Sequence, residues 1–341
     1  MRTSRALFFV LVFAALSACA PVFAPRGLTL VDPAITDSAF ITADGLSLPL
    51  RRWLPQGQPK AVVVALHGFN DYAKAFDKIP DGNAGTGPYL AGQGFAVFAY
   101  DQRGFGGAPF AGLWPGQDAL ARDVRDLSAV LRRTYPGVPI YGLGESMGGA
   151  VLMTAVAELQ TPFLDGLILA APAVWARSTM PFYYRVALWF GARLAPGLKP
   201  TGRGFGVQAS DNIELLRHNS RDPLFIKNTR IDSIYGITNL MDEALISPPK
   251  LTLPTLYLYG QNDQLIPKRP TLQALQSFPS ETGTLHAAYY PKGWHIVLRD
   301  KQADIVLKDV AAFITNPTAP LPSGADQRVM ERLAAPINAK R

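Results

Sequence analysis

With one cysteine in 341 residues, Cys19, the chain can build neither an intrachain disulfide framework nor a thiolate metal site. Histidine is scarce as well: four residues, at positions 67, 218, 286 and 295, leave little for a metal centre. Charged residues make up 17% of the chain and hydrophobic residues 48%, which excludes a disordered polyelectrolyte and suits a chain with much buried strand. The 33 Lys and Arg exceed the 26 Asp and Glu, for a net charge of +7, yet no basic run is dense enough for a nucleic-acid groove. The excess positive charge suits an anionic membrane surface instead. The Gly-rich stretch 81–87 lacks the Lys and Ser/Thr of a phosphate loop and reads as a plain loop. No internal repeat is visible. The length allows one large α/β domain with an insertion, or two smaller domains.

At the N-terminus, Arg2 and Arg5 precede an apolar run from Ala6 to Leu16, a charged region followed by an apolar stretch of export-signal length. Leu16-Ser17-Ala18-Cys19 then resembles the lipobox of bacterial lipoproteins, and the sole Cys falls where that motif needs it. The resemblance implies acylation of Cys19 and a lipid-anchored chain in the bacterial cell envelope. Ala20 lacks the acidic inner-membrane retention signal, which implies an outer-membrane protein facing the periplasm. An uncleaved membrane anchor over Ala6–Ala24 is the alternative, although Pro21 suits a continuing helix poorly.

Further on, Ser38 to Trp53 reads as a hairpin around the turn Ala43-Asp44-Gly45. Short apolar runs at Ala61–Leu66, Phe95–Tyr100, Ile140–Leu143, Leu167–Ala171 and Thr255–Tyr259 read as strands buried on both faces. Helical patterns over Asp118–Thr134 and Met147–Leu159 lie between them, so the expected class is α/β, a mostly parallel sheet with helices on both faces. The alternation breaks between Pro172 and Pro254. The expected organisation is a signal segment 1–18 ending at Cys19, a linker 20–37, a core 38–171, a helical cap 172–254 after the sixth strand, a second core part 255–315 and a loosely held extension 316–341.

Gly144-Glu145-Ser146-Met147-Gly148-Gly149 follows one of these strands and opens a helix, the context of a G-x-S-x-G nucleophile elbow, so Ser146 is the candidate nucleophile. A serine hydroxyl needs a base to take its proton and a carboxylate to orient that base. Asp263, in the loop after Thr255–Tyr259, and His295, in the loop after a last strand at His286–Tyr290, supply them in the order Ser, Asp, His. His286 reads as a packed strand residue and His218 as cap surface, while Asp242 and Glu243 are alternative acids on a cap helix. The oxyanion donors are expected to be the N–H groups of Met147 and Phe69, the latter after the strand ending Leu66-His67-Gly68. His67 is expected to steady that loop.

Leu66-His67-Gly68-Phe69, Asp101-Gln102-Arg103-Gly104-Phe105-Gly106, the Ser146 motif, Gly260-Gln261-Asn262-Asp263 and Gly293-Trp294-His295 together resemble the α/β-hydrolase fold family. They are most similar to its monoacylglycerol lipase, lysophospholipase and serine-aminopeptidase-like branch, over about residues 38 to 315. The resemblance implies a cofactor-free carboxylic-ester hydrolase acting on single-chain acyl ester lipids, with a cap over the serine. Members usually continue the first motif with Gly-Glu-His, where this chain has Asn70-Asp71-Tyr72, and Ala108 replaces a common Ser. An aminopeptidase of the same fold would need an acidic pocket for a peptide amine, to which Glu145 and Asp71 are candidate contributors. A silent scaffold would lack a triad member.

In the cap, Pro181 opens a helical stretch carrying Phe182, Val186, Trp189 and Phe190. Two readings stand: packing of the cap on the core, or an acyl-chain groove or lipid-facing surface in which Phe182, Trp189 and Phe190 bind substrate. Arg177, Arg185 and Arg193 of the cap read as solvated surface or headgroup contacts.

Overall fold

The run Ala61-Val62-Val63-Val64-Ala65-Leu66 contains no polar side chain because neither face of its strand meets water. The computed structural model describes residues 20–24, 27–78, 84–159, 162–200, 206–279 and 285–335. The expected export segment and Cys19 lie outside the described residues. In it this run is strand β4 (Ala61–Leu66), buried throughout. Val62, Val64 and Leu66 enter one core and Ala61, Val63 and Ala65 another on the opposite face, as the two-residue period of a strand requires.

Around it runs a sheet in the order β1-β2-β3-β5-β4-β6-β7-β8-β9. Its strands are β1 (Ala34–Ile35), β2 (Ala39–Ile41), β3 (Ser47–Trp53), β5 (Phe95–Tyr100), β6 (Ile140–Glu145), β7 (Gly166–Ala170), β8 (Thr255–Gly260) and β9 (Leu285–Tyr290). β1 to β3 pair antiparallel, and β3 joins β5 antiparallel. From β5 to β9 every pairing is parallel.

One core is closed by α2 (Gln117–Thr134), α3 (Met147–Ala157), α6 (Ile231–Ile246), α7 (Lys268–Gln276) and α9 (Val329–Ala334), the other by α1 (Thr86–Gly92) and α8 (Ala303–Thr315). α4 (Phe182–Leu194) and α5 (Ile213–Arg221) lie between β7 and β8 together with α6. Because β1 precedes the expected hairpin, this insertion follows the seventh strand rather than the sixth. α6 is also less of a cap than its place in the chain implies. Its Ile237, Leu240, Met241, Ala244 and Leu245 are buried in the core, and Gly236 lies so near Trp114 that a Cβ there would sit 2.2 Å from the indole.

The expectation of a loosely held extension is corrected by the structure over 316–335. Leu321, Ala325, Val329 and Leu333 are buried, and the Tyr289 N–H donates to the Ala325 carbonyl at 2.8 Å. These apolar residues recur at every fourth position, but Pro317, Pro320, Pro322 and Gly324 interrupt the chain before α9, so composition hides their inward side. Among the described residues no helix is long and apolar enough to cross a membrane.

Candidate active site

Ser146 stands between β6 and α3 with φ 52° and ψ −112°, a left-handed conformation that costs a non-glycine residue energy and that surrounding contacts must impose. Three backbone hydrogen bonds hold it: its N–H donates to Ala170 O at 2.9 Å, and its carbonyl accepts from the N–H groups of Ala173 at 2.9 Å and Ala150 at 3.1 Å. The flanking glycines are required by close approach. A Cβ on Gly144 would meet the Gly148 and Gly149 backbone at 2.4 Å, and one on Gly148 would reach Leu66 O at 2.1 Å.

After β8, Asp263 accepts the N–H groups of Leu265 and Ile266 on Oδ1 at 2.8 and 2.9 Å, which aims Oδ2 away from its own loop. That oxygen lies 2.8 Å from Nδ1 of His295. The loops carrying the two residues touch through backbone. Asn262 N–H donates to Gly293 O at 2.9 Å, and a Cβ on Gly260 would lie 2.4 Å from the Gly293 carbonyl carbon. Both side chains are almost wholly buried. Burial alone would lower the His295 pKa, but the Asp263 carboxylate, with Glu145 and Asp300 beyond it, outweighs this and the net shift is upward.

The loop after β4 passes beside the serine, with a Cβ on Gly68 falling 3.5 Å from Ser146 Cβ. His67 anchors it. Gln102 N–H donates to His67 Nε2 at 3.0 Å, so the ring proton is on Nδ1, which donates to Gly68 O at 2.8 Å. Burial holds His67 below the usual histidine range and therefore neutral. Phe69 packs edge-on against Phe105 at 5.6 Å, and Met147 is fully buried at the start of α3. The structure thus brings Gly68, next to Phe69, beside the Ser146-Met147 elbow, and joins Asp263 to His295.

A family model described as serine aminopeptidase, S33, matches residues 57–302. The chain belongs to this family. It is 29% identical over 293 residues to a mouse monoglyceride lipase, covering 83% of this chain and 92% of that one. A Mycolicibacterium smegmatis monoacylglycerol lipase is 26% identical, with 84% and 99% covered. A solved structure of a soluble variant of Saccharomyces cerevisiae monoglyceride lipase, bound to a substrate analogue, superposes with a TM-score of 0.64 at 17% identity, covering 88% and 98%. The fold is that of an α/β hydrolase, and the chain is a serine ester hydrolase related to monoacylglycerol lipases.

Within this S33 hydrolase, the departures Asn70-Asp71-Tyr72 have local explanations. Asn70 adopts φ 68°, which Asn tolerates in place of Gly. Asp71 is ion-paired with Arg299 at 2.8 Å, and the Tyr72 hydroxyl donates to Asp222 at 2.7 Å. The alternative acids are committed elsewhere: Asp242 is ion-paired with Arg177 and Glu243 accepts from Gln117 at 2.8 Å. His218 is an exposed-side neighbour of Asp222, and His286 faces Phe313 at 6.0 Å.

The cap residues fall outside this constellation. On α4 only Ala192 is buried, while Phe182, Trp189 and Phe190 are 74, 48 and 51% exposed. With Arg177, Arg185, Val186 and Tyr235 they line an open hollow of about 400 Å³ that includes none of Ser146, Asp263, His295, Phe69 or Met147. The helix packs on α6 through its Gly191 and Ala192 side, and the three aromatics are not part of that contact. The amphipathic period announces an apolar face, and nothing in it says whether protein or another medium covers that face. Sequence reasoning also missed the bridge from Arg299 to Glu145 and Asp71, whose signal, an Arg four residues after the expected base, is no motif by itself.

Proposed function

We propose that this chain hydrolyses the ester of a single-chain acyl lipid, a monoacylglycerol or lysophospholipid, through Ser146, His295 and Asp263. The observation carrying this reading is the 2.8 Å contact between His295 Nδ1 and Asp263 Oδ2 in loops packed against each other, with Ser146 held on a left-handed turn. With Nδ1 engaged, Nε2 of the neutral imidazole is the free base. It takes the Ser146 hydroxyl proton as Oγ attacks the ester carbonyl, and the N–H groups of Met147 and Phe69 receive the oxyanion. Collapse returns the proton to the leaving glycerol oxygen and leaves an acyl-serine, which water, deprotonated by the same His295, then hydrolyses. The lipase names of the relatives support the substrate class. An aminopeptidase reading is not favoured, because Asp71 and Glu145, its candidate amine-binding carboxylates, are both paired with Arg299.

We also propose a lipid-anchored protein of the bacterial cell envelope, tethered at Cys19 and facing the periplasm from the outer membrane. Support comes from the lipobox and from the path of the chain after it. Val22 N–H donates to Asp232 Oδ2 at 3.2 Å, at the start of α6, and Ala24 N–H to Trp114 O at 2.8 Å. α4 and α6 pack together, so residues 22–24 run along the helix that carries the exposed aromatic α4, which supports two weak membrane signals acting together. Kinetics on monoacylglycerols, lysophospholipids, p-nitrophenyl esters and aminoacyl anilides test the substrate class. Lipid esters are expected to be turned over with the highest kcat/KM, and a preference for anilides would overturn the reading.

A further inference from the structure

The segments carrying the reacting groups meet at one buried cation. Arg299 Nη2 donates to Asp71 Oδ2 at 2.8 Å and to Glu145 Oε2 at 2.5 Å. Asp71 belongs to the loop of Phe69, Glu145 immediately precedes Ser146, and Arg299 closes the segment that begins at His295. The three side chains are nearly inaccessible, with 4% of Arg299, 8% of Asp71 and 3% of Glu145 exposed, so solvent screens them little. Glu145 Oε1 is buried and has no hydrogen-bond partner among the described residues, which leaves Arg299 as the compensation for that carboxylate. Arg299 is itself held from behind, its carbonyl accepting from Asn212 Nδ2 at 3.0 Å.

Stability does not explain such a cluster, since apolar residues of similar volume often replace a buried ion network without loss. Its position does. We propose that Arg299 is a positioning residue for ester hydrolysis, one that ties the oxyanion loop to the nucleophile elbow and screens the elbow from the Asp71 and Glu145 carboxylates. The proposal rests on the roles assigned above to Ser146, His295 and Phe69. Geometrically, the bridge sets the distance between the Phe69 and Met147 N–H groups, which must converge on one oxygen. Electrostatically, an uncompensated carboxylate one residue from Ser146 opposes the developing oxyanion and holds a proton on His295. The titratable groups facing His295 are Asp263 after β8, Glu145 at the end of β6, which burial pushes up against the pull of Arg299, and Asp300 in its own segment, which burial pushes up to about 7. Arg299 faces Glu145 and Asp71, and His67, neutral, has Asp101, Asp71 and Arg299 around it. Among these groups Arg299 carries the permanent positive charge.

The test is the pH profile of kcat/KM on a water-soluble short-chain p-nitrophenyl ester, for wild type, Glu145→Gln, Arg299→Met, Arg299→Lys and the double variant Glu145→Gln/Arg299→Met. The acid limb, which reports the free His295, is expected to move down in Glu145→Gln and up by about one pH unit in Arg299→Met. It is expected to return toward wild type in the double variant, and Arg299→Lys should keep the limb in place with a kcat at least threefold lower. A brace without electrostatic effect gives no such opposed shifts, so activity lost in Arg299→Met with an unmoved limb overturns the proposal. Should Arg299→Met not fold, an unmoved limb in Glu145→Gln overturns it equally, as does an undiminished kcat in Arg299→Lys. An active Ser146→Ala enzyme would instead sink the underlying assignment, leaving the two failures distinguishable.

Discussion

The α-carbon of Gly148 rests against the carbonyl of Leu66, so closely that a Cβ on the glycine would lie 2.1 Å from that oxygen. The contact joins the first turn of α3 to the end of β4, and thus the turn carrying the proposed nucleophile Ser146 to the strand that launches the loop of Phe69, the proposed oxyanion donor. Both atoms at the contact are constrained by backbone, so neither can move aside as a flexible side chain would.

Gly148→Ala should therefore lower the melting temperature by roughly 5 °C or more, on the scale of about 2–3 kcal/mol for an overpacked site, and reduce turnover with it. Gly92→Ala, at the end of α1 where a Cβ meets nothing within 4 Å, should leave both within error or slightly raise stability. Thermal melts of the two variants decide the matter. Equal melting temperatures would mean that the elbow is looser than its contacts indicate.

Ser146→Ala should abolish labelling by a fluorophosphonate probe. Asp263→Asn should lower kcat by ~10⁴-fold while the fold survives, because the amide favours the wrong imidazole tautomer. Asp242→Asn should leave kcat within about twofold, since Asp242 is engaged with Arg177 and makes no contact with His295. A reversal of the last two outcomes would reassign the acid.

The pH dependence carries a definite sign. His295 must be neutral to act as base and its pKa is raised, net of burial, by Asp263, so kcat/KM should fall on acidification with a midpoint above the ordinary value of 6.5. Asp263→Asn should move that midpoint down in whatever activity remains. For folding, the native state binds this proton more tightly than the unfolded chain. The group's stabilising contribution is thus fully present below pH 6.5 and is lost as pH rises through the folded value. An acid limb lying below 6.5 in wild type contradicts the assignment.

The exposed face of α4 predicts membrane association rather than selection of chain length. Trp189→Ala/Phe190→Ala, or Arg185→Glu, should weaken sedimentation with anionic phospholipid vesicles at least fivefold and leave hydrolysis of a soluble acetate ester unchanged. Loss of acetate turnover in these variants would place the helix at the reacting site instead.

Cys19→Ser should abolish incorporation of an alkyne fatty acid during growth and shift the protein from membrane to soluble fractions. Unchanged incorporation would refute the lipoprotein reading. Activity in detergent should persist, because the residues assigned to the reaction begin at Phe69.

Contiguous residues carried most of the fold and the residues proposed to react. Glycine spacing around Ser146, unbroken apolar runs at Ala61–Leu66 and Thr255–Tyr259, and strand-end loops bearing Asp263 and His295 were legible because each encodes a local constraint: a turn that excludes Cβ, a strand covered on both faces, a polar residue at a strand's end. Tertiary structure alone decided that Arg299 meets Glu145 across 154 residues, that Asp242 is spent on Arg177, that apolar residues between 321 and 333 pack onto the core beside β9, and that α4 turns its aromatics outward. The physical reason is common to all four. A charge or an apolar face states in sequence only what it must avoid, water or an unpaired neighbour, and the path of the whole chain determines which partner supplies the remedy.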